Sequence, residues 1–178
     1  MDDLSATYQA VRWLIELGHR RIGIITGDWR QWSARRREQG YLMALREAGI
    51  APLPSWRYEG NYCIEAGEAG ALRLIQQEPR PTAIVCGNDR MAIGALHVLS
   101  EQGFRVPQDV SIVGFDDMVE AAFTVPPLTT IRQPMFEIGL RATELLLQQM
   151  EQGSRPRHSL LLPTELVVRS TVAPPPPE

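Results

Sequence analysis

Short runs of consecutive apolar residues, rich in β-branched side chains, recur along this chain, and each contains or ends at a glycine. They are RRIGIITG at 20–27, TAIVCG at 82–87 and DVSIVGF at 109–115. A continuous apolar run of this length is typical of a strand that is buried on both faces, as in a parallel sheet. Segments with apolar residues at helical spacing lie between the runs. This alternation predicts an α/β fold, a doubly wound parallel sheet with helices on both faces.

The helical spacing also sets expected boundaries. Helices are predicted over 6–17, 34–48, 64–77, 90–102 and 135–150, with a further strand at 56–60. Ser33 is expected to cap the second of these helices. Asp117, with Glu120 three residues later, is expected to cap a short helix after the third apolar run.

The alternation ends at residues 125–127, where two prolines interrupt the chain. Two short strands are predicted at 159–162 and 164–172, separated by Pro163, and the prolines indicate hinge or crossover points. The tail at 173–178 is expected to be disordered or extended, because it is mostly proline and has no core to join.

Composition limits the function of this chain more than its fold. The 178 residues carry a net charge of -3, with a pI of about 5.7, which argues against direct binding of nucleic acid. Cys63 and Cys86 lack the spacing of a zinc site or a disulfide framework. The first residues show no signal-peptide pattern, and no apolar stretch approaches the ~20 residues of a membrane span. We therefore expect a cytoplasmic protein.

Sequence motifs of common enzymes are missing. No GxxxxGK[ST] phosphate loop, GxGxxG turn, HExxH pair or GxSxG nucleophile elbow occurs. His19, His97 and His158 are scattered and are expected to be structural or exposed. Because no base accompanies a nucleophile, we expect neither an enzyme nor a bound cofactor or metal.

Polar and aromatic side chains follow each predicted strand, at the sheet edge where α/β proteins bind small molecules. Asn and Asp directly after a strand more often cap the next helix than bind a ligand. We assign Asp89 and Asp117 mainly to capping, which leaves Asn88 and Asp116 free to point into a cleft. The basic run at 35–37 is interpreted mainly as a solvated helix face, with only one or two side chains able to face the strand ends.

Five segments together resemble the effector-binding domain of the lactose-repressor family of bacterial transcription regulators. They are LIELGHRRIGIITG at 14–27, ARRREQGYLMAL at 34–45, RPTAIVCGNDRMAIGAL at 80–96, VPQDVSIVGFDD at 106–117 and PPLTTIRQP at 126–134. The resemblance covers nearly the whole chain in order. It implies a periplasmic-binding-protein-like fold, in which two α/β lobes joined by crossover segments close on a ligand. It does not identify that ligand.

The resemblance also implies a division into lobes. Residues 2–125 and 164–172 correspond to the C-terminal lobe, and residues 128–162 to the last strand, helix and strand of the N-terminal lobe. The helix-turn-helix head, the hinge segment and most of the N-terminal lobe would precede Met1. We therefore expect DNA to be bound only through a head outside this chain.

Ligand-binding roles follow from the same resemblance. They are expected for Arg37, Asp116, Asn88, Tyr62 and Ser33, with Gln31 as a weaker candidate. Arginine offers a rigid fork of donors, and an ionised aspartate accepts hydrogen bonds from vicinal hydroxyls. A tyrosine ring stacks on the apolar face of a sugar or on a base.

The predicted function is an effector sensor that binds a sugar and modulates DNA binding. A sensor of nucleosides or purines and a solute-binding protein of a sugar transporter remain alternatives. The resemblance further suggests a homodimer formed through the helices near 64–74 and 91–99. With most of one lobe outside the chain, the helix carrying Ile138, Leu145 and Leu146 is expected to expose apolar surface.

Overall fold

The computed structural model describes residues 2–152 and 160–177. Its helices are α1 (Asp3–Glu16), α2 (Trp32–Glu47), α3 (Ile64–Ile75), α4 (Asp89–Glu101) and α5 (Met135–Gln152). Its strands are β1 (Ile22–Thr26), β2 (Arg57–Glu59), β3 (Ala83–Cys86), β4 (Ser111–Asp116), β5 (Thr129–Arg132) and β6 (Glu165–Val167). Two short 3-10 helices lie in the connections, at Pro54–Trp56 and Val119–Ala122.

The strands form one sheet in the order β2-β1-β3-β4-β5-β6. The first five strands in this order run parallel to their neighbours, and β6 pairs antiparallel with β5 at the edge. This arrangement confirms the predicted α/β class and its mostly parallel sheet. The three apolar runs supply the central strands β1, β3 and β4, which are buried almost throughout.

The helices cover the sheet on both faces, and β3 shows why its sequence lacks polar residues. Ile84 and Cys86 point into one apolar core, together with side chains of α3 and α4. Ala83 and Val85 point into the other core, with side chains of α1 and α2. Because successive side chains of a strand face opposite sides, a strand between two layers of helices needs apolar residues at every position.

Helix starts differ from the predicted boundaries in ways that the capping contacts explain. Helix α1 begins at Asp3, since Asp2 Oδ1 accepts a hydrogen bond from Ser5 N at 3.1 Å. Helix α2 begins at Trp32, after Gln31, whose side chain makes no capping bond. The prediction that Ser33 caps α2 is therefore wrong, because Ser33 already lies inside the first turn.

Strand β5 lies next to β4 in the main sheet, with Val113 paired to Thr129. Residues 129–132 therefore share one sheet with β1 to β4. The division into lobes, with residues 128–162 assigned to the N-terminal lobe, stays a prediction. Of the strand predicted at 159–162, Ser159 lies outside the described residues, and 160–162 are not in a strand.

The tail differs from the expectation of disorder where it begins. Ala173 O accepts hydrogen bonds from His19 Nε2 at 2.8 Å and from Ser111 Oγ at 3.1 Å, and Pro175 lies against Gly18. His19 is fully buried, and burial lowers its pKa. The start of the tail is therefore held against the main body by polar contacts to the Ala173 backbone, which the composition of the tail did not reveal.

Helix α5 lies outside both cores. Phe136 and Leu146 are exposed, whereas Ile138 and Leu145 are partly buried beside Leu160 and line a shallow cavity of about 150 Å³. The expected exposure of apolar surface is thus found at Leu146. Within the part of the chain that the structure describes, no helix combines the length and the apolar character needed to cross a membrane.

Candidate functional site

The carboxyl ends of β1, β3 and β4 lie side by side at one edge of the sheet. They are followed by residues 27–33, 87–88 and 117–118. Glycine at position 27 leaves room for the Tyr62 ring in this position, because a Cβ there would lie 1.9 Å from Tyr62 Cζ. The backbone of the first loop therefore lies directly under the tyrosine ring, as it does where glycine lets a chain approach closely.

Arg37 is the buried cation of this edge. Its Nε donates to Asp3 Oδ1 at 2.8 Å, its Nη1 donates to Gly87 O, and its guanidinium carbon lies 3.6 Å from the centre of the Phe115 ring. Nη1 also lies 4.0 Å from Asp116 Oδ1. The two hydrogen bonds leave further N–H donors of the guanidinium for a ligand, because arginine has five.

Asp116, the last residue of β4, holds its carboxylate beside Arg37 in an unusual backbone conformation. Its φ is 122°, a value that costs roughly 1–3 kcal/mol for a residue with a side chain and that is found most often at functional sites. Gln133 Nε2 donates to Asp116 Oδ1. Burial raises the pKa of Asp116, while Arg37 and the Gln133 hydrogen bond act in the opposite direction.

Tyr62, Ser33 and Asn88 form the adjoining part of the site. Tyr62 Oη and Ser33 Oγ are 3.1 Å apart, and Asn88 Nδ2 donates to Tyr62 O at 3.1 Å. Asn88 Oδ1 accepts from Met91 N at 2.9 Å and so caps α4. The prediction that Asn88 leaves capping to Asp89 is therefore wrong. The Nδ2 group of Asn88 also bonds to the backbone of Tyr62, which has a φ of 70°.

Asp89, assigned above to capping, instead holds two other elements together. Its carboxylate is fully buried and accepts hydrogen bonds from Met118 N at 2.8 Å and from Thr130 Oγ1. Burial raises the pKa of Asp89 to about 6, and the charges of Asp116 and Asp117 add to this effect. Asp89 therefore fixes the loop that follows Asp116.

Asp117 does not cap the following helix either. The 3-10 helix at Val119–Ala122 begins after Met118 and receives no side-chain cap. The Asp117 carboxylate instead accepts from Arg169 Nη2 and from Arg132 Nε, each at 2.6 Å. Burial opposes ionisation of Asp117, but the two guanidinium hydrogen bonds outweigh it and lower its pKa.

Gln31 stands apart from the other candidates. It is exposed at the start of α2, and its backbone N donates to Asp28 O at 2.9 Å. Among residues 2–152 and 160–177, no hydrogen bond joins its side chain to the other five candidates. The remaining candidates form two contact groups at the same edge of the sheet: Ser33 and Asn88 with Tyr62, and Arg37 with Asp116. Gly87, whose O accepts from Arg37, directly precedes Asn88 in the chain.

Three partners of Arg37 and Asp116 were not anticipated from the sequence. Asp3 bonds to Arg37 although 34 positions separate the two residues in the sequence, and no local pattern marks Asp3 as a partner. Phe115 looked like an ordinary core residue of an apolar strand, yet its ring lies under the guanidinium. Gln133 lies in the IRQP segment after β5, and the position of that segment beyond a strand end was the only available signal.

An open depression of about 460 Å³ adjoins Asp116 on the side of α5. It is lined by Asp116, Asp117, Arg132, Gln133, Pro134, Met135, Phe136 and Glu137. Among the described residues, no fully buried side-chain nitrogen or oxygen lacks a hydrogen-bond partner. A ligand that bonded to Asp116 Oδ1 would compete with the Gln133 amide.

Comparison with known proteins gives a consistent result. The periplasmic binding protein-like domain matches residues 11–172. A ribose operon repressor of Haemophilus influenzae is 43% identical over 165 residues, which make up 93% of this chain and 50% of the repressor. The chain thus spans about half the length of the curated relatives it matches.

Solved structures of regulators superpose closely on this chain. A regulatory protein of the LacI family from Chloroflexus aggregans is 36% identical with a TM-score of 0.90, covering 97% of this chain and 62% of its own. The complex of the transcriptional regulator CelR with cellobiose is 34% identical with a TM-score of 0.92, covering 96% of this chain and 52% of its own.

Proposed function

This chain belongs to the periplasmic binding protein-like domain family, in its lactose-repressor branch, and we propose that it is the effector-sensing domain of a bacterial transcription regulator. We propose further that its effector is a small polyhydroxylated molecule, a sugar or a related polyol. The effector would bind at the carboxyl edge of the sheet, beside Arg37 and Asp116. DNA binding would be carried out by a head outside these 178 residues.

The pairing of Arg37 with Asp116 carries this proposal. A buried guanidinium with donors to spare lies 4.0 Å from a half-buried carboxylate, and the Tyr62 ring lies on the same edge. Vicinal hydroxyls match this arrangement, because each hydroxyl both donates and accepts. Hydrogen bonds to such charged groups contribute roughly 1.5–3 kcal/mol each, enough to discriminate against analogues that lack a hydroxyl.

A route from the ligand to the rest of the chain runs through Gln133. This residue donates to Asp116 and is followed after one proline by Met135, the first residue of α5. A ligand that takes the place of the Gln133 amide at Asp116 would shift the position of the first residues of α5 relative to the sheet. Ligand binding would then favour one of two arrangements, as a population shift requires.

A nucleoside or purine effector is the main alternative. A planar base can stack on Tyr62 and can bond to the same arginine and aspartate. A solute-binding protein of a transporter would use the same fold, but the relatives and solved structures described above are named as repressors and regulators.

Ligand binding can be tested by thermal-shift and calorimetric titration of the 178-residue chain with sugars, sugar phosphates, nucleosides and purines. A ligand at about 100 times its Kd should stabilise the chain by roughly 2.7 kcal/mol. The variant Asp116→Asn should bind the same ligand at least about tenfold more weakly, because it loses a charged acceptor. Arg37 is a poor choice for this comparison, since it also compensates the buried Asp3.

Asp109→Asn is a matched control, because Asp109 pairs with the exposed Arg105 and lies outside the candidate site. It should bind ligand like the unmodified chain. Binding of a nucleoside instead of a sugar, with the same loss in Asp116→Asn, would favour the alternative effector. Binding that is unchanged in Asp116→Asn would contradict the placement of the site.

We also propose that the chain pairs with a second copy through the predicted segments 64–74 and 91–99. The two helices pack closely enough to present one continuous surface, because a Cβ at Gly67 would lie only 2.0 Å from Met91 O. Ile64 is 42% exposed on this surface. Light scattering coupled to size-exclusion chromatography should show a dimer that a charged residue at Ile64 weakens. A strictly monomeric chain at high concentration would contradict the proposal.

A further inference from the structure

Two tryptophans lie exposed beside the candidate site, where the chain passes from β1 into α2. Trp29 is 55% exposed and Trp32 is 68% exposed. Trp56, by contrast, is buried, and its Nε1 donates to Pro79 O at 2.9 Å. An indole offers a large apolar surface whose exposure to water is unfavourable. Two such rings close together indicate a surface that contacts another molecule.

One guanidinium fixes both rings. The Arg35 guanidinium carbon lies 5.7 Å from the ring centre of Trp29 and 5.7 Å from that of Trp32. Arg35 Nη1 donates to Trp29 O at 3.0 Å and to Arg30 O at 3.1 Å, which holds the side chain in place. Arg36 lies 5.8 Å from the Trp32 ring centre. The Arg35 guanidinium therefore lies within cation–π distance of both indoles.

The charges around the rings decide which class of ligand they suit. Glu59 Oε1 accepts from Trp29 N at 3.1 Å, and Asp28 is paired with Arg30 at 2.6 Å. The hydrogen bonds from Arg30 lower the pKa of Asp28 to about 2, so this carboxylate is ionised at neutral pH. Carboxylates interleaved with the guanidiniums disfavour a phosphate backbone, which needs a uniformly positive surface. Aromatic faces beside donors and acceptors of both signs suit a pyranose ring.

Trp32 directly precedes Ser33, so the two rings adjoin the Ser33–Tyr62 part of the proposed effector site. Trp32 precedes Arg37 by five residues of α2, about 7.5 Å along the helix axis and about 140° around it, so the two side chains leave different faces of the helix. Between them, Ser33 bonds to Tyr62. We infer that Trp29 and Trp32 form a second subsite, so that the effector is a glycan of at least two linked sugar rings. One ring would bind at Arg37 and Asp116 and the next would stack on the indoles, an inference that rests on the proposed function.

The test compares each monosaccharide with disaccharides that contain it: glucose with cellobiose and maltose, and galactose with lactose and melibiose. Calorimetric titration of the 178-residue chain should show at least one disaccharide binding about tenfold more tightly than its monosaccharide. In Trp29→Ala and Trp32→Ala this ratio should fall toward one, while monosaccharide affinity stays unchanged. Trp32→Phe should restore part of the ratio, because it keeps an aromatic face. Bound disaccharide should also shift tryptophan emission to shorter wavelength.

The outcomes separate this inference from the proposed function. Monosaccharide binding that depends on Asp116, with no preference for the disaccharide, would overturn the second subsite and leave the proposed function standing. A disaccharide preference that survives in both alanine variants would also overturn it. Binding of no sugar on the panel would count against the subsite and the sugar effector together. Met43→Ala, on the same helix and away from the indoles in sequence, is the control and should bind like the unmodified chain.

Discussion

Replacing Asp89 with asparagine should make the chain more stable at neutral pH, although it removes a charge from a hydrogen-bonded network. The Asp89 carboxylate is fully buried, accepts from Met118 N and Thr130 Oγ1, and faces the carboxylates of Asp116 and Asp117. Asparagine can keep both contacts, because its oxygen accepts from Met118 N and its amide donates to the Thr130 hydroxyl. The substitution therefore changes mainly the charge.

The magnitude follows from the pKa of Asp89, which is about 6 in the folded chain against 3.8 for an ordinary aspartate. This difference makes ionisation about 3 kcal/mol less favourable in the folded state than in the unfolded state. Because the folded pKa is raised, the stability associated with this group is fully present below pH 3.8 and is lost as pH rises through 6. Asp89→Asn should lack this loss.

Urea unfolding of the chain and of Asp89→Asn between pH 4 and pH 7.5 measures the effect. As pH rises from 4 to 7.5, the free energy of unfolding of Asp89→Asn should increase by about 2–3 kcal/mol relative to that of the unmodified chain. Asp109→Asn should not show this gain, since Arg105 lowers the pKa of Asp109 to about 2 through hydrogen bonds. A difference between the chain and Asp89→Asn that does not vary with pH would refute the reasoning.

Three further perturbations have defined outcomes. Gly27→Ala should displace the Tyr62 ring, because the added Cβ would lie 1.9 Å from Tyr62 Cζ. Effector binding should then weaken about tenfold or more in calorimetric titrations. Unchanged affinity would show that Tyr62 does not contact the effector. Arg37→Ala should destabilise the chain by about 3–5 kcal/mol in urea unfolding, because it leaves Asp3 buried without its partner. The double variant Arg37→Ala with Asp3→Ala should recover part of this loss, because no unpaired buried charge remains. His19→Gln should reduce the loss of stability on acidification. Burial lowers the pKa of His19, so the contribution of His19 to the free energy of unfolding is present above pH 6.5 and is lost as pH falls through the lowered pKa. Equal acid sensitivity of the chain and the variant in urea unfolding would contradict this.

Much of the candidate site could be anticipated because strand ends are easy to locate in this sequence. Apolar runs that end near glycine mark the carboxyl edge, and the residues that follow them include Asn88 and Asp116. Capping roles were harder to assign, because Asn88 and Asp89 are adjacent and both residue types cap helices. Only the packing of Asp89 against Thr130 and Met118 separates the two.

The sequence by itself determined the layers of the fold and the edge of the sheet at which the candidate residues lie. Local periodicity encodes these features, since burial on two faces requires apolar residues at every strand position and burial on one helix face requires them at helical spacing. Only the tertiary structure decided the contacts between residues far apart in the chain: the salt bridge from Arg37 to Asp3, the hydrogen bond from Gln133 to Asp116, and β5 beside β4. No local pattern marks such contacts, because they form between segments that folding alone brings together.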